Sequence, residues 1–212
     1  MTRAVLWDLD GTLVDSGEYH WRSWRDTMAA EGMPVTHAQF LATFGQRNDR
    51  ILRGWLGDVE ADRIERIAEA KESAYRQMAA DGGLIALPGA AEWVRRLHDA
   101  GWRQAIASSA PRLNVDVMLR ALKLERWFDA IVSAEDVTVG KPDPQVFLTA
   151  AERLGADPAN CVVVEDAEAG IEAARRARMR CIGVSASTPL VADIAVRSLA
   201  DLPANAFEAL LG

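Results

Sequence analysis

The chain is poor in cysteine, tyrosine and histidine, with two, two and three of them in 212 residues. Two cysteines cannot make a disulfide framework, and neither sits at a spacing that would hold zinc. Cys161 and Cys181 each lie beside or within an apolar run, Cys161-Val162-Val163-Val164 and Cys181-Ile182-Gly183-Val184, and are expected as buried, reduced thiols. No apolar stretch approaches membrane-spanning length, which excludes a helical span. The first apolar run breaks at Asp8 rather than continuing as a leader, so a soluble, cytoplasmic chain is expected. Positive charge is in the minority: 24 Lys and Arg against 31 Asp and Glu, a formal net charge of −7. No basic face is therefore on offer to nucleic acid or anionic lipid. Repeats and low-complexity tracts are absent. What remains is an ordinary globular balance, 50% hydrophobic and 26% charged, long enough for one large domain or for one domain that carries a smaller one.

The apolar pattern divides the chain. Residues 3–9 read as a short buried strand ended by a turn. From Glu18 to Ala80 strand-like runs vanish and helical spacing takes over: Trp21, Trp24 and Met28 fall at i, i+3, i+7, and Ile64, Ile67 and Ala68 continue it. Gly32-Met33-Pro34 and Gly57-Asp58 break that stretch into helices. Beyond Asp81-Gly82-Gly83 the pattern alternates, with strands at 103–108, 130–133, 161–164 and 180–184 and helices between them. These strands are near-continuous apolar runs, as burial on both faces requires. The expectation is an α/β fold: a doubly wound, mostly parallel sheet formed by 1–15 and 84–212, with an all-helical cap of residues 16–83 inserted after the first strand. Open α/β sheets bind ligands at the carboxyl ends of their strands, so the insert would lie over that site as a lid.

Four polar groups fall at predicted strand ends: Asp8 with Asp10, Ser108 with Ser109, Lys141 within Gly140-Lys141-Pro142-Asp143-Pro144, and Glu165 with Asp166. Each has an ordinary reading by itself. Asp-Gly and Ser-Ser commonly end strands, a loop lysine is commonly solvated, and Glu165-Asp166 could cap the following helix. Together they match what phosphoryl transfer through a carboxylate needs. Asp8 could supply the nucleophile and Asp10 a proton for the leaving oxygen. Ser108 and Lys141 could hold phosphoryl oxygens. Asp8, Glu165 and Asp166 are hard oxygen ligands suited to Mg²⁺.

In order along the chain, Asp8-Leu9-Asp10-Gly11-Thr12, Ser108, Lys141 and Glu165-Asp166 resemble the four motifs of the haloacid dehalogenase superfamily. The resemblance spans essentially the whole chain. It points to the β-phosphoglucomutase-like branch, whose helical cap lies between the first two motifs. It implies Asp8 as the nucleophile forming an aspartyl-phosphate and Asp10 as general acid and base. It implies Ser108, Ser109 and Lys141 on phosphate, and Mg²⁺ held by Asp8, the Asp10 backbone carbonyl, Glu165 and Asp166. Asp10, Glu165 and Asp166 are at odds with carbon–halogen cleavage, whose enzymes in this superfamily generally lack the second carboxylate and the metal. In the insert, His20, Trp24 and Lys71 resemble residues that line the substrate side of the cap. Arg47 resembles the arginine with which mutases grip a distant phosphate, yet it follows Gly45 by two residues instead of three, and Asn48 takes the expected place. The expected activity is hydrolysis of a small phosphorylated metabolite, such as a sugar phosphate, with a sugar-phosphate mutase as the alternative and a non-catalytic binding protein as the less favoured one. Oligomeric state is left open, a monomer being compatible with the sequence.

Overall fold

The computed structural model describes residues 2–212. Six strands, β1 (Ala4–Trp7), β2 (Arg103–Ala107), β3 (Ala130–Val132), β4 (Cys161–Glu165), β5 (Arg180–Val184) and β6 (Ile194–Val196), form one sheet in the order β3-β2-β1-β4-β5-β6. Every pairing is parallel. Strand β1 lies at the middle, with Trp7 opposite Ile106 on one side and Val164 on the other. The chain builds outward from β1 through β2 to β3, then returns to its other side for β4. The crevice beside β1 is therefore a topological switch point, where a sheet of this kind receives its ligand.

Alternation along β1 sorts its side chains to the two faces. Val5 and Trp7 join a cluster with Trp93, Trp102 and Phe207, while Ala4 and Leu6 join Phe147, Ala150 and Ala173 on the opposite face. The first cluster is covered by α5 (Ala90–Asp99), α6 (Arg112–Leu122) and α9 (Ala206–Leu211), and the second by α7 (Gln145–Leu154) and α8 (Glu168–Arg176). Both cysteines are free and buried, and burial pushes both thiols up from their ordinary values.

Between β1 and α5 come four helices, α1 (Gly17–Ala30), α2 (His37–Leu41), α3 (Asn48–Leu56) and α4 (Ala61–Gly82). They have a core of their own, with Trp24, Met28, Phe40, Leu52, Ile64 and Ile67 buried against one another. The helical spacing of Trp24 with Met28, and of Ile64 with Ile67, thus has its physical cause in this second core. Helix α4 lies along α1 and α3 and also packs on α6, which joins the insert to the sheet layer. No helix among the described residues is long and apolar enough to cross a membrane. Strand β6 and helix α9 were not anticipated: Ile194-Ala195-Val196 is too short a run to stand out from loop, and only pairing with β5 makes it a strand.

Candidate active site

Strand β1 ends at Trp7, and the next residues turn tightly. The backbone N–H of Leu13 and of Val14 both donate to Leu9 O, and Gly11 takes a φ of +81° that a side chain would resist. This turn projects Asp8 and Asp10 into different surroundings. Asp8 is buried beside the end of β4. Its Oδ1 accepts from Lys141 Nζ at 2.6 Å, and the same nitrogen donates to Glu165 Oε1 at 2.5 Å. The second oxygen of Glu165 accepts from the backbone N–H groups of Asp166 and Ala167. Carboxylate oxygens of Asp8, Glu165 and Asp166 lie within 4.8 Å of one another.

Glycines let these carboxylates approach. A Cβ on Gly11 would lie 2.1 Å from Asp166 Oδ2, and one on Gly170 would lie 1.9 Å from the Glu165 carboxyl carbon. Because both Glu165 oxygens are already held, its carboxylate cannot retreat cheaply. Gly170→Ala is expected to cost about 1–3 kcal/mol by overpacking, read as a lowered midpoint of urea unfolding.

Three carboxylates here face one ammonium. Burial pushes Asp8 up to about 7 against the pull of Lys141. Burial, reinforced by Asp8 and Glu165, raises Asp166 well above the usual carboxylate range. At Lys141 burial acts the other way but is outweighed by Asp8 and Glu165, so its ammonium is held above the ordinary lysine value. A hard divalent cation fits this donor set, since it would relieve the like-charge excess that one lysine leaves.

Asp10 faces the helical insert. Its Oδ1 accepts from Ser16 Oγ at 2.5 Å and lies 2.9 Å from His20 Nε2. Burial would raise it, but His20 and Ser16 prevail and hold it below the usual value. The two carboxylates thus differ in character: one is paired with a lysine and other carboxylates, the other with a histidine and a hydroxyl.

On the far side of β1, Ser108 closes β2. Its N–H donates to Val132 O and its Oγ accepts from Ala110 N, leaving the hydroxyl proton free to point at a ligand. Asp8, Asp10, Ser108 and Ser109 from the sheet meet His20, Trp24, Phe40, Phe44, Gln46, Asn48, Lys71 and Glu72 from the insert around a narrow cleft.

Arg47 lies away from this cleft. Its Nη1 donates to the carbonyls of Ala134 at 3.0 Å and Val137 at 2.7 Å, and its chain crosses Gly140 so closely that a Cβ there would be 2.7 Å from Arg47 Cδ. It clips the insert to the loop that carries Lys141. Asn48, next in sequence, lines the cleft in its stead. Sequence reading also passed over Ser16, Glu72 and Asn114. Hydroxyls near a turn are commonplace, and Glu72 follows Lys71 on a helix whose charged residues would ordinarily be solvated.

Residues 2–178 match the family model described as haloacid dehalogenase-like hydrolase, and the chain belongs to that family of enzymes. Among its relatives it is 34% identical over 208 residues to β-phosphoglucomutase of Bacillus subtilis, covering 94% of this chain and 91% of that one. It is 32% identical over 215 residues to hexitol phosphatase B of Escherichia coli, covering 95% of each. A relative in Arabidopsis thaliana, the chloroplastic protein Suppressor of Quenching 1, is 39% identical over 186 residues, but the match covers 85% of this chain and only 18% of that protein. Among solved structures, a β-phosphoglucomutase from Clostridium difficile superposes with a TM-score of 0.87 at 26% identity, covering 100% of this chain and 97% of that one.

Proposed function

We propose that this chain is a Mg²⁺-dependent phosphatase of small, cytoplasmic phosphate monoesters, working through an aspartyl-phosphate on Asp8. The observation that carries the reading is the division between the two buried carboxylates, Asp8 among Lys141, Glu165 and Asp166, Asp10 between Ser16 and His20. In this reading 1–15 and 84–212 form the catalytic core, and 16–83 form a cap that opens for substrate and closes to exclude water.

Asp8 attacks phosphorus in line, forming the acyl-phosphate bond as the ester P–O bond breaks. Asp10 gives a proton to the departing alkoxide. Asp10 then takes a proton from water as that water attacks phosphorus, and the acyl-phosphate bond breaks to release inorganic phosphate and restore Asp8. Ser108, Ser109 and Lys141 hold the phosphoryl oxygens. Asp8, the Asp10 carbonyl, Glu165 and Asp166 would hold Mg²⁺, which supplies charge neutralisation and orientation of the phosphoryl group.

Hydrolysis is favoured over mutase chemistry by the cleft's poverty in cations. Among its described lining residues the basic side chains are His20 and Lys71, Lys71 is ion-paired with Glu72 at 2.8 Å, and Arg47 is spent on core carbonyls. Little is left to grip the second phosphate of a sugar bisphosphate. The relatives include both a phosphatase and a mutase, so the deciding experiment is phosphate release across a panel of sugar and acid monophosphates, with and without a sugar bisphosphate. Release that needs no bisphosphate supports the reading. Isomerisation that depends on bisphosphate, with little net phosphate, replaces it with the mutase.

The metal assignment has a thermal test. At a hundredfold excess over its Kd, a ligand bound only by the folded state adds about 2.7 kcal/mol, and at about 2–4 °C per kcal/mol Mg²⁺ should raise Tm by about 5–10 °C. With Asp8 raised to about 7, the metal-free folded chain holds a proton there that the unfolded chain has lost. Its stability therefore falls as pH rises through that window. The Mg²⁺ effect should grow from pH 6 to pH 8, and Asp166→Asn should diminish it. An absent Tm shift at every pH would sink the assignment.

A further inference from the structure

Glu72 is a carboxylate 3% exposed in the joint between the helical insert and the sheet layer, with no part in the chemistry above. A buried carboxylate persists where its charge and lone pairs are matched, and Glu72 is matched from both sides of the joint. Oε1 accepts from Lys71 Nζ at 2.8 Å and Asn48 Nδ2 at 2.7 Å, both on the insert. Oε2 accepts from Asn114 Nδ2 of α6, in the core, at 2.5 Å. The Asn114 amide has one workable orientation, because its Oδ1 accepts from Arg76 Nη1 at 3.2 Å and its nitrogen must then face Glu72.

The contacts continue inward. Lys71 Nζ lies 2.8 Å from His20 Nδ1. An ammonium only donates, so Nδ1 accepts and the ring proton sits on Nε2, which donates to Asp10 Oδ1 at 2.9 Å. The ring is stacked on Tyr75, with centroids 4.1 Å apart and planes 14° apart, which opposes a flip. An unbroken chain of hydrogen bonds thus runs Asn114, Glu72, Lys71, His20, Asp10, leaving the core at one end and returning to it at the other.

We infer that Glu72 and Asn114 are positioning residues: their bond docks the cap on the core and, through Lys71 and His20, fixes which oxygen of Asp10 faces the substrate. Oδ1 of Asp10 is taken by Ser16 and His20, so Oδ2 is the oxygen left free to face the substrate. With the cap undocked, Lys71 and His20 move away with it, and the choice of oxygen is lost. The substrate-facing role of Oδ2 rests on the phosphatase reading, whereas the latch itself does not.

Asn114→Asp is the sharpest test, being isosteric and setting a carboxylate against Glu72. With p-nitrophenyl phosphate and Mg²⁺, kcat should fall at least tenfold while KM changes less than twofold. The ¹⁵N signals of His20, one of three histidines, should leave the pattern of an Nε2-protonated ring. Combining Asn114→Asp with Glu72→Gln restores one donor facing one acceptor, and should recover both kcat and the His20 pattern in large part. Asn114→Ala removes both bonds that Asn114 makes to the insert, to Glu72 and from Arg76, and covers the case in which the carboxylate variant fails to fold. Folded Asn114 variants with wild-type kcat and unchanged His20 signals would overturn the latch. A wild-type chain that hydrolyses no phosphate ester refutes the phosphatase reading instead, and the nitrogen signals then decide the latch by themselves.

Discussion

Replacing Asp8 by asparagine is expected to lower turnover of p-nitrophenyl phosphate by at least about 10⁴-fold, the scale on which loss of a covalent nucleophile is felt. An amide oxygen is a poor nucleophile at phosphorus and cannot form the acyl-phosphate that the second half of the reaction cleaves. The same change should leave the fold intact. Asp8 sits among Glu165, Asp166 and Lys141, and burial already pushes it up to about 7, so a neutral isostere suits the metal-free site. At pH 8 the metal-free variant should melt at the wild-type temperature or above it. That pairing of outcomes separates a chemical role from a structural one. Turnover above about one part in a hundred of wild type, at saturating Mg²⁺, would show that another group makes the bond to phosphorus.

Asp10→Asn should divide the reaction into its halves. The amide oxygen can still accept from Ser16 and His20, the two groups that fix the Asp10 carboxylate, so the turn and the cap contact should persist. Proton transfer cannot. With p-nitrophenyl phosphate the leaving group departs without a proton, so Asp8 can still be phosphorylated. Hydrolysis of the phosphoenzyme needs a base for water and should slow by about 10²–10⁴-fold, the usual worth of general acid–base help. Rapid mixing should show a burst of one p-nitrophenolate per enzyme followed by slow release of phosphate. With an alkyl phosphate the burst should vanish, because the first step then needs the missing proton too. A variant that turns over both esters at wild-type rate would remove Asp10 from the mechanism.

The strand-end residues were legible because local pattern places them. A short apolar run buried on both faces must be a central parallel strand, and its carboxyl end is defined by the chain itself. Asp8, Ser108 and Glu165 follow directly from β1, β2 and β4. The helices of the insert were legible for a like reason, since Trp24 with Met28 at i, i+4 and Ile64 with Ile67 at i, i+3 each fall on one helix face, turned to a common core. Strand β6 escaped because three residues carry no period, and its identity comes from the neighbour it pairs with.

Arg47 and Glu72 mark the limit. Both are charged residues on an amphipathic insert, and composition assigns such residues to solvent or to substrate. The structure sends the Arg47 guanidinium to two backbone carbonyls of the core, 87 and 90 residues away, and buries Glu72 against an asparagine 42 residues away. No periodicity encodes pairings of that kind, because they depend on how four packed helices dock as a body on the sheet layer.

By itself, then, the sequence determined the α/β sheet, the helical insertion after its first strand and membership of the haloacid dehalogenase-like hydrolases, since each is written in short-range pattern and in motifs local to a strand end. Tertiary structure decided which charges meet. It set Lys141 between Asp8 and Glu165, drew Arg47 out of the cleft and carried a hydrogen-bonded chain from Asn114 to Asp10. The physical reason is that a buried charge is governed by whatever it is desolvated against, and that partner is chosen by packing between elements distant in the chain.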